Sequence, residues 1–166
     1  MSPTPIRHHG GMSRAGRRPE AVLLIGLPGS GKSTFYARQY ARTHLRINLD
    51  MLRTRRREAV LVRACLATGQ SFVVDNTNVT VEDRARFIAP SREAGFAITG
   101  CWFEPDLQGC LRRNRLRAAG RVPDAAIRSA LSRLRPPSRA EGFDRLVRVS
   151  AIEPDDFRIT PWDEPA

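Results

Sequence analysis

Ala21-Val-Leu-Leu-Ile25 runs straight into Gly26-Leu-Pro-Gly-Ser-Gly-Lys-Ser33, and Ser33-Thr-Phe-Tyr-Ala-Arg-Gln-Tyr-Ala-Arg42 follows. The first segment is a short continuous apolar run and reads as a buried strand; the last reads as a helix. Between them the chain matches the whole of the phosphate-binding pattern GxxxxGK[ST]. Strand, glycine loop and helix in that order separate such a site from a chance glycine-rich turn. Glycines let backbone N–H groups converge on phosphate oxygens, and the helix N-terminus adds a favourable dipole. Gly26, Pro28, Gly29, Ser30, Gly31 and Lys32 are therefore the expected phosphate cradle. Lys32 is the single lysine of the chain, in a composition where Lys and Arg together number 28. A compact ammonium enters a tight nest of amides that a planar guanidinium would overfill.

The 166 residues, 41% hydrophobic and 27% charged, suit one globular domain with a real core. A net charge of +11 permits acidic partners such as nucleic acid or phosphorylated metabolites. It does not select between them, since a mutational bias toward arginine codons would produce the same figure. Cys65, Cys101 and Cys110 are odd in number and form no CxxC pair, so reduced thiols in a cytoplasmic setting are expected. No run approaches the 18 apolar residues of a membrane span. Residues 1–19 read as a flexible basic tail carrying His8 and His9, residues 20–150 as the folded domain, and residues 151–166 as a partly ordered acidic tail. In that last stretch Phe157 and Trp162 are the side chains expected to pack down.

Strand-like and helical stretches alternate through the domain, the pattern of an α/β fold with helices covering a parallel sheet. Leu45-Arg-Ile47 is the second strand, and a helix is expected from Asp50 to Thr68, ending at Gly69. Ser71-Phe-Val-Val74 is a third, almost wholly apolar strand. Thr80-Val-Glu-Asp83 is a capping start for a helix that Gly95 ends. Phe96 to Phe103 makes the fourth strand, and a helix from about Asp106 leads into arginines 112, 113, 115, 117 and 121. Pro123 opens a further helix, Pro136-Pro137 stops it, and Arg145 to Val149 is the fifth strand.

Phosphoryl transfer requires a phosphate cradle, a magnesium site, cations for the transferred group and something to orient the nucleophile. Ser33 offers a hydroxyl to Mg²⁺. Asp75, at the carboxyl end of the third strand, would face the ligand crevice of an open α/β sheet and hold the ion's waters. Its bland alternative is to cap the next turn. Asp50, after the second strand, reads either as the N-cap of the following helix or as a general base beside an acceptor hydroxyl. The arginine cluster reads either as a solvated face or as a lid over the polyphosphate, with the lid favoured and no more than two of its arginines acting.

These residues together resemble the kinase domain of the 5′-hydroxyl polynucleotide kinases over about residues 21–149. The resemblance rests on Gly26–Thr34, Asn48-Leu-Asp50 with Arg53, Asp75-Asn-Thr-Asn78, Arg113-Asn114 with Arg117, Val122-Pro123 and Glu141-Gly-Phe143. It implies a three-layer P-loop NTPase fold with a central parallel sheet of about five strands in the order 2-3-1-4-5 and an arginine-rich lid. It further implies ATP as donor and Mg²⁺ as cofactor, with Lys32, Ser33 and Thr34 on the phosphates and metal. Asp50 would be the general base, Arg53 the contact to the acceptor's 3′-phosphate, and Arg113 and Arg117 the lid arginines. Asn76, Thr77 and Asn78 would line the acceptor side. Where the family often has Asn-Arg-Asp, this chain has Asn48-Leu49-Asp50, which removes one basic contact. No DxDGT phosphatase signature is present. Two other readings stay open: the same chemistry on a small hydroxyl-bearing metabolite or sugar, and a non-catalytic nucleotide switch. The acceptor, DNA or RNA, and the oligomeric state are not legible in the sequence.

Overall fold

The computed structural model describes residues 18–152 and 156–163. The basic stretch with His8 and His9, and residues 153–155 and 164–166 of the acidic stretch, lie outside the described residues.

The apolar run becomes β1 (Glu20–Ile25), with Ala21 through Ile25 wholly buried. It sits in the middle of the sheet, hydrogen-bonded in parallel to β3 (Phe72–Val74) on one side and β4 (Ala97–Phe103) on the other. Beyond β3 lies β2 (Leu45–Ile47), and beyond β4 lies β5 (Arg145–Ile152), both parallel as well. The order 2-3-1-4-5 expected from the resemblance is thus observed, extended by a sixth strand, β6 (Asp156–Pro161), antiparallel to β5.

Central parallel strands must be apolar on both faces because helices cover both. Ala21, Leu23 and Ile25 join one core with Ile47, Phe72, Val74, Phe87, Cys110 and Ile127, under α3 (Arg55–Thr68), α4 (Val81–Glu93), α5 (Leu107–Arg115) and α6 (Asp124–Arg133). Val22, Leu24 and Val73 face the other way, into a smaller core under α1 (Lys32–Gln39) that holds Phe35 and Tyr40. Phe157 of β6 closes this second core, its ring edge-on to Phe35 at 5.2 Å. Cys65, Cys101 and Cys110 are buried free thiols. Among the described residues no helix is long and apolar enough to cross a membrane.

Three expectations need correcting. First, Asp50 to Thr68 is two helices, α2 (Leu49–Leu52) and α3, separated at Arg53, whose φ of 71° lies in the left-handed region. The hydroxyl of Thr54 accepts a hydrogen bond from the Arg57 amide at 3.2 Å, a competing helix start that resets the chain. Second, the described part of the acidic stretch is a strand of the same sheet; Trp162 is buried against Trp102, with ring centroids 5.8 Å apart. Third, residues 18 and 19 belong with the sheet and not with a tail. The Arg18 guanidinium donates to the carbonyls of Gly95 and Phe96, and the Ala97 amide donates to the Pro19 carbonyl.

Candidate active site

The strand register sets the site. Ile47 pairs with Val74 and Val74 with Leu23, so the chain leaves β1, β2 and β3 at nearly one level. The Asp75 amide donates to the Ile47 carbonyl at 2.8 Å, and the Asn48 side-chain amide donates to the Asp75 carbonyl at 2.6 Å. These bonds tie the two strand tips together. Ligands of open α/β sheets bind at this edge. A cleft of about 260 Å³ opens here, lined by Pro28, Gly29, Lys32, Ser33, Asn48, Leu49, Asp50, Arg55, Asp75, Asn76, Thr77, Arg117, Gly120 and Val122.

The glycine loop is tightly built. Gly29 has φ 82°, and a Cβ there would meet the Cys110 carbonyl oxygen at 2.7 Å. Gly31 has φ 94°, and a Cβ would press on the Phe157 ring. Any other residue would be strained at either position and would push the loop off α5 or β6. The Lys32 ammonium curls back into this loop, donating to the carbonyls of Gly26 at 2.9 Å and Leu27 at 2.6 Å and to the Ser30 hydroxyl at 3.3 Å. Burial lowers its pKa from the ordinary 10.5 to about 8, against the pull of the Asp75 carboxylate.

Asp50 and Asp75 both open on the cleft. Asn48, not Asp50, caps α2: its side-chain oxygen accepts from the Met51 amide at 3.0 Å. The bland role for Asp50 is therefore filled by another residue, and its carboxylate stands exposed in the first turn. Asp75 is buried. Its Oδ2 accepts from the Ser33 hydroxyl at 3.0 Å and from Nε and Nη2 of Arg46 at 2.8 and 2.6 Å. Ser33 and Asp75 thus converge on a cation, here a guanidinium, through hard oxygen donors of the kind Mg²⁺ takes. That donor set fits the ion. No group of three His, Cys, Asp or Glu side chains forms a metal cage among the described residues. Mg²⁺ needs none when phosphates and waters supply its other ligands.

The acceptor-side expectations divide. Asn76 and Thr77 line the cleft, although Asn76 is also bonded on both ends: its oxygen accepts from the Leu49 amide, and its NH₂ donates to Glu58. Asn78 is buried and donates to the carbonyls of Leu24 and Val74. It pins β1 to β3 and does not line the cleft. Arg53 is also outside the lining, because the break between α2 and α3 carries it off the face it would share with Asp50 on one helix. Arg55, which the sequence reading missed, lines the cleft instead, with its guanidinium donating to Glu58 at 2.8 Å.

Of the lid arginines, Arg117 lines the cleft, from a loop that its own guanidinium closes by donating to the Gly120 carbonyl at 3.2 Å. Arg113 holds the cradle from behind: its Nε donates to the Gly29 carbonyl at 2.7 Å. Arg115 pairs with Asp124. Thr34 and Gly31 lie outside the cleft lining, as do Gly26 and Ser30, which hold the Lys32 ammonium. Arg46 was also missed, and Asn48 enters only as part of a motif that carries the resemblance, with no role of its own. In Leu45-Arg46-Ile47 strand alternation puts Arg46 on the face opposite Ile47, the face that α1 covers. That parity was readable; its landing on Ser33 and Asp75 was not.

A family model described as an AAA domain matches residues 22–137, from β1 through α6. The chain belongs to this AAA domain family. Over 135 residues it is 30% identical to a bifunctional polynucleotide phosphatase/kinase of Schizosaccharomyces pombe, covering 78% of this chain and 33% of the relative. It is 28% identical over 143 residues to a putative bifunctional polynucleotide phosphatase/kinase of Acanthamoeba polyphaga mimivirus, covering 81% of this chain and 34% of the relative. The chain thus spans about a third of the length of these curated relatives. A gluconokinase from Sinorhizobium meliloti 1021 shares the fold, with a TM-score of 0.58 at 19% identity over 84% of this chain and 86% of that one. The expected likeness to the polynucleotide kinases is therefore found in sequence, and the P-loop kinase fold in structure.

Proposed function

We propose that this chain transfers the γ-phosphoryl group of ATP to the 5′-hydroxyl end of a polynucleotide. One observation carries the reading: two carboxylates, Asp50 in the first turn of α2 and Asp75 just after β3, open on the same cleft as Lys32 and Ser33 of the glycine loop. Each carboxylate has a distinct task. Asp75, beside Ser33, would hold Mg²⁺, and the bound ion would neutralise charge between the β- and γ-phosphates. Asp50, exposed and clear of the helix cap, accepts the acceptor's hydroxyl proton as the new P–O bond forms. Lys32 and Arg117 then face the phosphoryl oxygens from two sides and stabilise charge that grows in the transition state. Lys32 is poised for exchange: its three loop acceptors are replaced by phosphate oxygens, which are better partners for an ammonium.

A polynucleotide acceptor is supported by the names of the two curated relatives, and the net charge of +11 permits it. One observation favours a small hydroxyl acceptor instead: Arg53, which resemblance assigns to a 3′-phosphate, does not line the cleft. Labelled ATP separates the two. An oligonucleotide with a 5′-hydroxyl is expected to take the label, and the same oligonucleotide with a 5′-phosphate is not. Label appearing only on sugars or other small alcohols would overturn the polynucleotide reading and leave phosphoryl transfer standing.

A further inference from the structure

Arg46 occupies the position from which Ser33 and Asp75 would grip a metal ion. Its Nη2 donates to the Ser33 hydroxyl at 3.0 Å, and Nε and Nη2 both donate to Asp75 Oδ2. The Ser33 hydroxyl spends its own proton on the same carboxylate oxygen. Asp75 Oδ2 therefore receives three donors, and a Ser33 lone pair is directed at the guanidinium. Asp75 Oδ2 so engaged has no lone pair left for an ion, and a guanidinium has none to lend. Arginine and a divalent ion are thus alternatives at Asp75 Oδ2, and an ion on the Ser33 hydroxyl would sit against the guanidinium's positive charge.

The rest of the side chain fits such an exchange. The Asp75 carboxylate is 2% exposed and needs a cationic partner, since a buried charge left alone is costly. Arg46 is 28% exposed, so its guanidinium can leave toward water. It lies 5.6 Å above the Tyr36 ring, with Nη1 against the Met51 sulfur, and both are soft contacts that can be surrendered. We propose that Arg46 is a resident counter-ion that keeps Ser33 and Asp75 converged and that a divalent ion must displace, so that this residue sets the metal concentration at which the site loads. The inference rests on the reading of Ser33 and Asp75 as the ion's ligands.

Mn²⁺ with ADP tests it by binding alone, with free Mn²⁺ followed by electron paramagnetic resonance. Arg46→Gln is expected to bind Mn²⁺ at least about tenfold more tightly than the wild type, because a positive charge within a few ångströms of the ion is gone. Arg46→Lys, which keeps the charge but not the forked contact, should fall between them. In the wild type, the Arg46 Nε–H resonance, assigned by its loss in Arg46→Lys, should shift when Mg²⁺ and ADP are added together and hold when ADP is added without metal. That signal serves even if Arg46→Gln fails to fold. Equal or weaker Mn²⁺ binding by Arg46→Gln, or an Nε–H signal indifferent to the metal, overturns the inference while Asp75→Asn still abolishes binding. If wild type and Asp75→Asn bind Mn²⁺ alike, the reading of the ion's ligands is what falls.

Discussion

At the scale of single residues the site turns on which groups are free to act and which are already committed. Lys32 is available but at a cost: burial has lowered its pKa to about 8. Phosphates set against the ammonium favour its charged form, so bound nucleotide raises that pKa again. Binding above pH 8 then takes up a proton. Affinity for ADP should be full below that pH and weaken above it, by up to about tenfold per unit. Lys32→Gln should bind more weakly and lose this dependence between pH 8 and 9.5; a wild-type affinity flat across that range would contradict it. Arg53 and Arg55 make a second pair to separate. Arg55→Gln should raise the acceptor KM several-fold with little change in kcat, whereas Arg53→Gln should leave KM near the wild-type value; the reverse result would restore Arg53 to the acceptor side. The resemblance assigns Arg53 to the acceptor, a role that puts it on the side of Asp50 only if one continuous helix carries both. The Thr54 hydroxyl, capping α3 on the Arg57 amide, removes that premise. A hydrophobic pattern does not show which of two overlapping helix starts wins.

At the scale of elements, α5 and the loop after it work as one piece. Asn114 is buried; its NH₂ donates to the Val122 carbonyl at 2.7 Å, and its oxygen accepts from the Val122 amide at 3.1 Å. This pair of hydrogen bonds to the backbone of one residue closes the loop that carries Arg117. Asn114→Ala leaves both Val122 groups without their partner and should cost about 1–3 kcal/mol of stability. Because it also frees Arg117, the ATP KM should rise in protein that remains folded at assay temperature, and thermal melting with steady-state kinetics would read both. An unchanged KM would mean that the loop does not depend on this staple. The strands were legible because a continuous apolar run bounded by turns has few readings, as in Ala21–Ile25 and Phe72–Val74. β6 was not, although Phe157 and Ile159 alternate with Asp156, Arg158 and Thr160, because the run is short, ends at Pro161 and lies in an acidic stretch that reads as a tail. It is held by pairing with β5 and by Phe157 and Trp162. Asn78 was misplaced for a related reason: sequence puts it beside Asp75, Asn76 and Thr77, but its φ of 48° turns the chain inward at that residue.

At the scale of the whole molecule, the site is assembled by topology from segments far apart in sequence. Arg46 reaches Asp75 across 29 residues and Arg113 reaches Gly29 across 84, distances over which no local pattern carries information. The net charge of +11 acts at this scale as well. If the acceptor is a polynucleotide, several phosphates are neutralised at once, and the acceptor KM should climb steeply as salt rises from 50 to about 200 mM. An acceptor KM indifferent to salt would favour a small uncharged alcohol. The central claim, however, is the division of labour between two carboxylates in one cleft, and Asp50→Asn tests it most directly. With labelled ATP and a 5′-hydroxyl oligonucleotide in single turnover, the variant should bind ATP as the wild type does and transfer phosphate about 10²- to 10⁴-fold more slowly, the usual worth of a general base. Transfer at the wild-type rate would contradict the account.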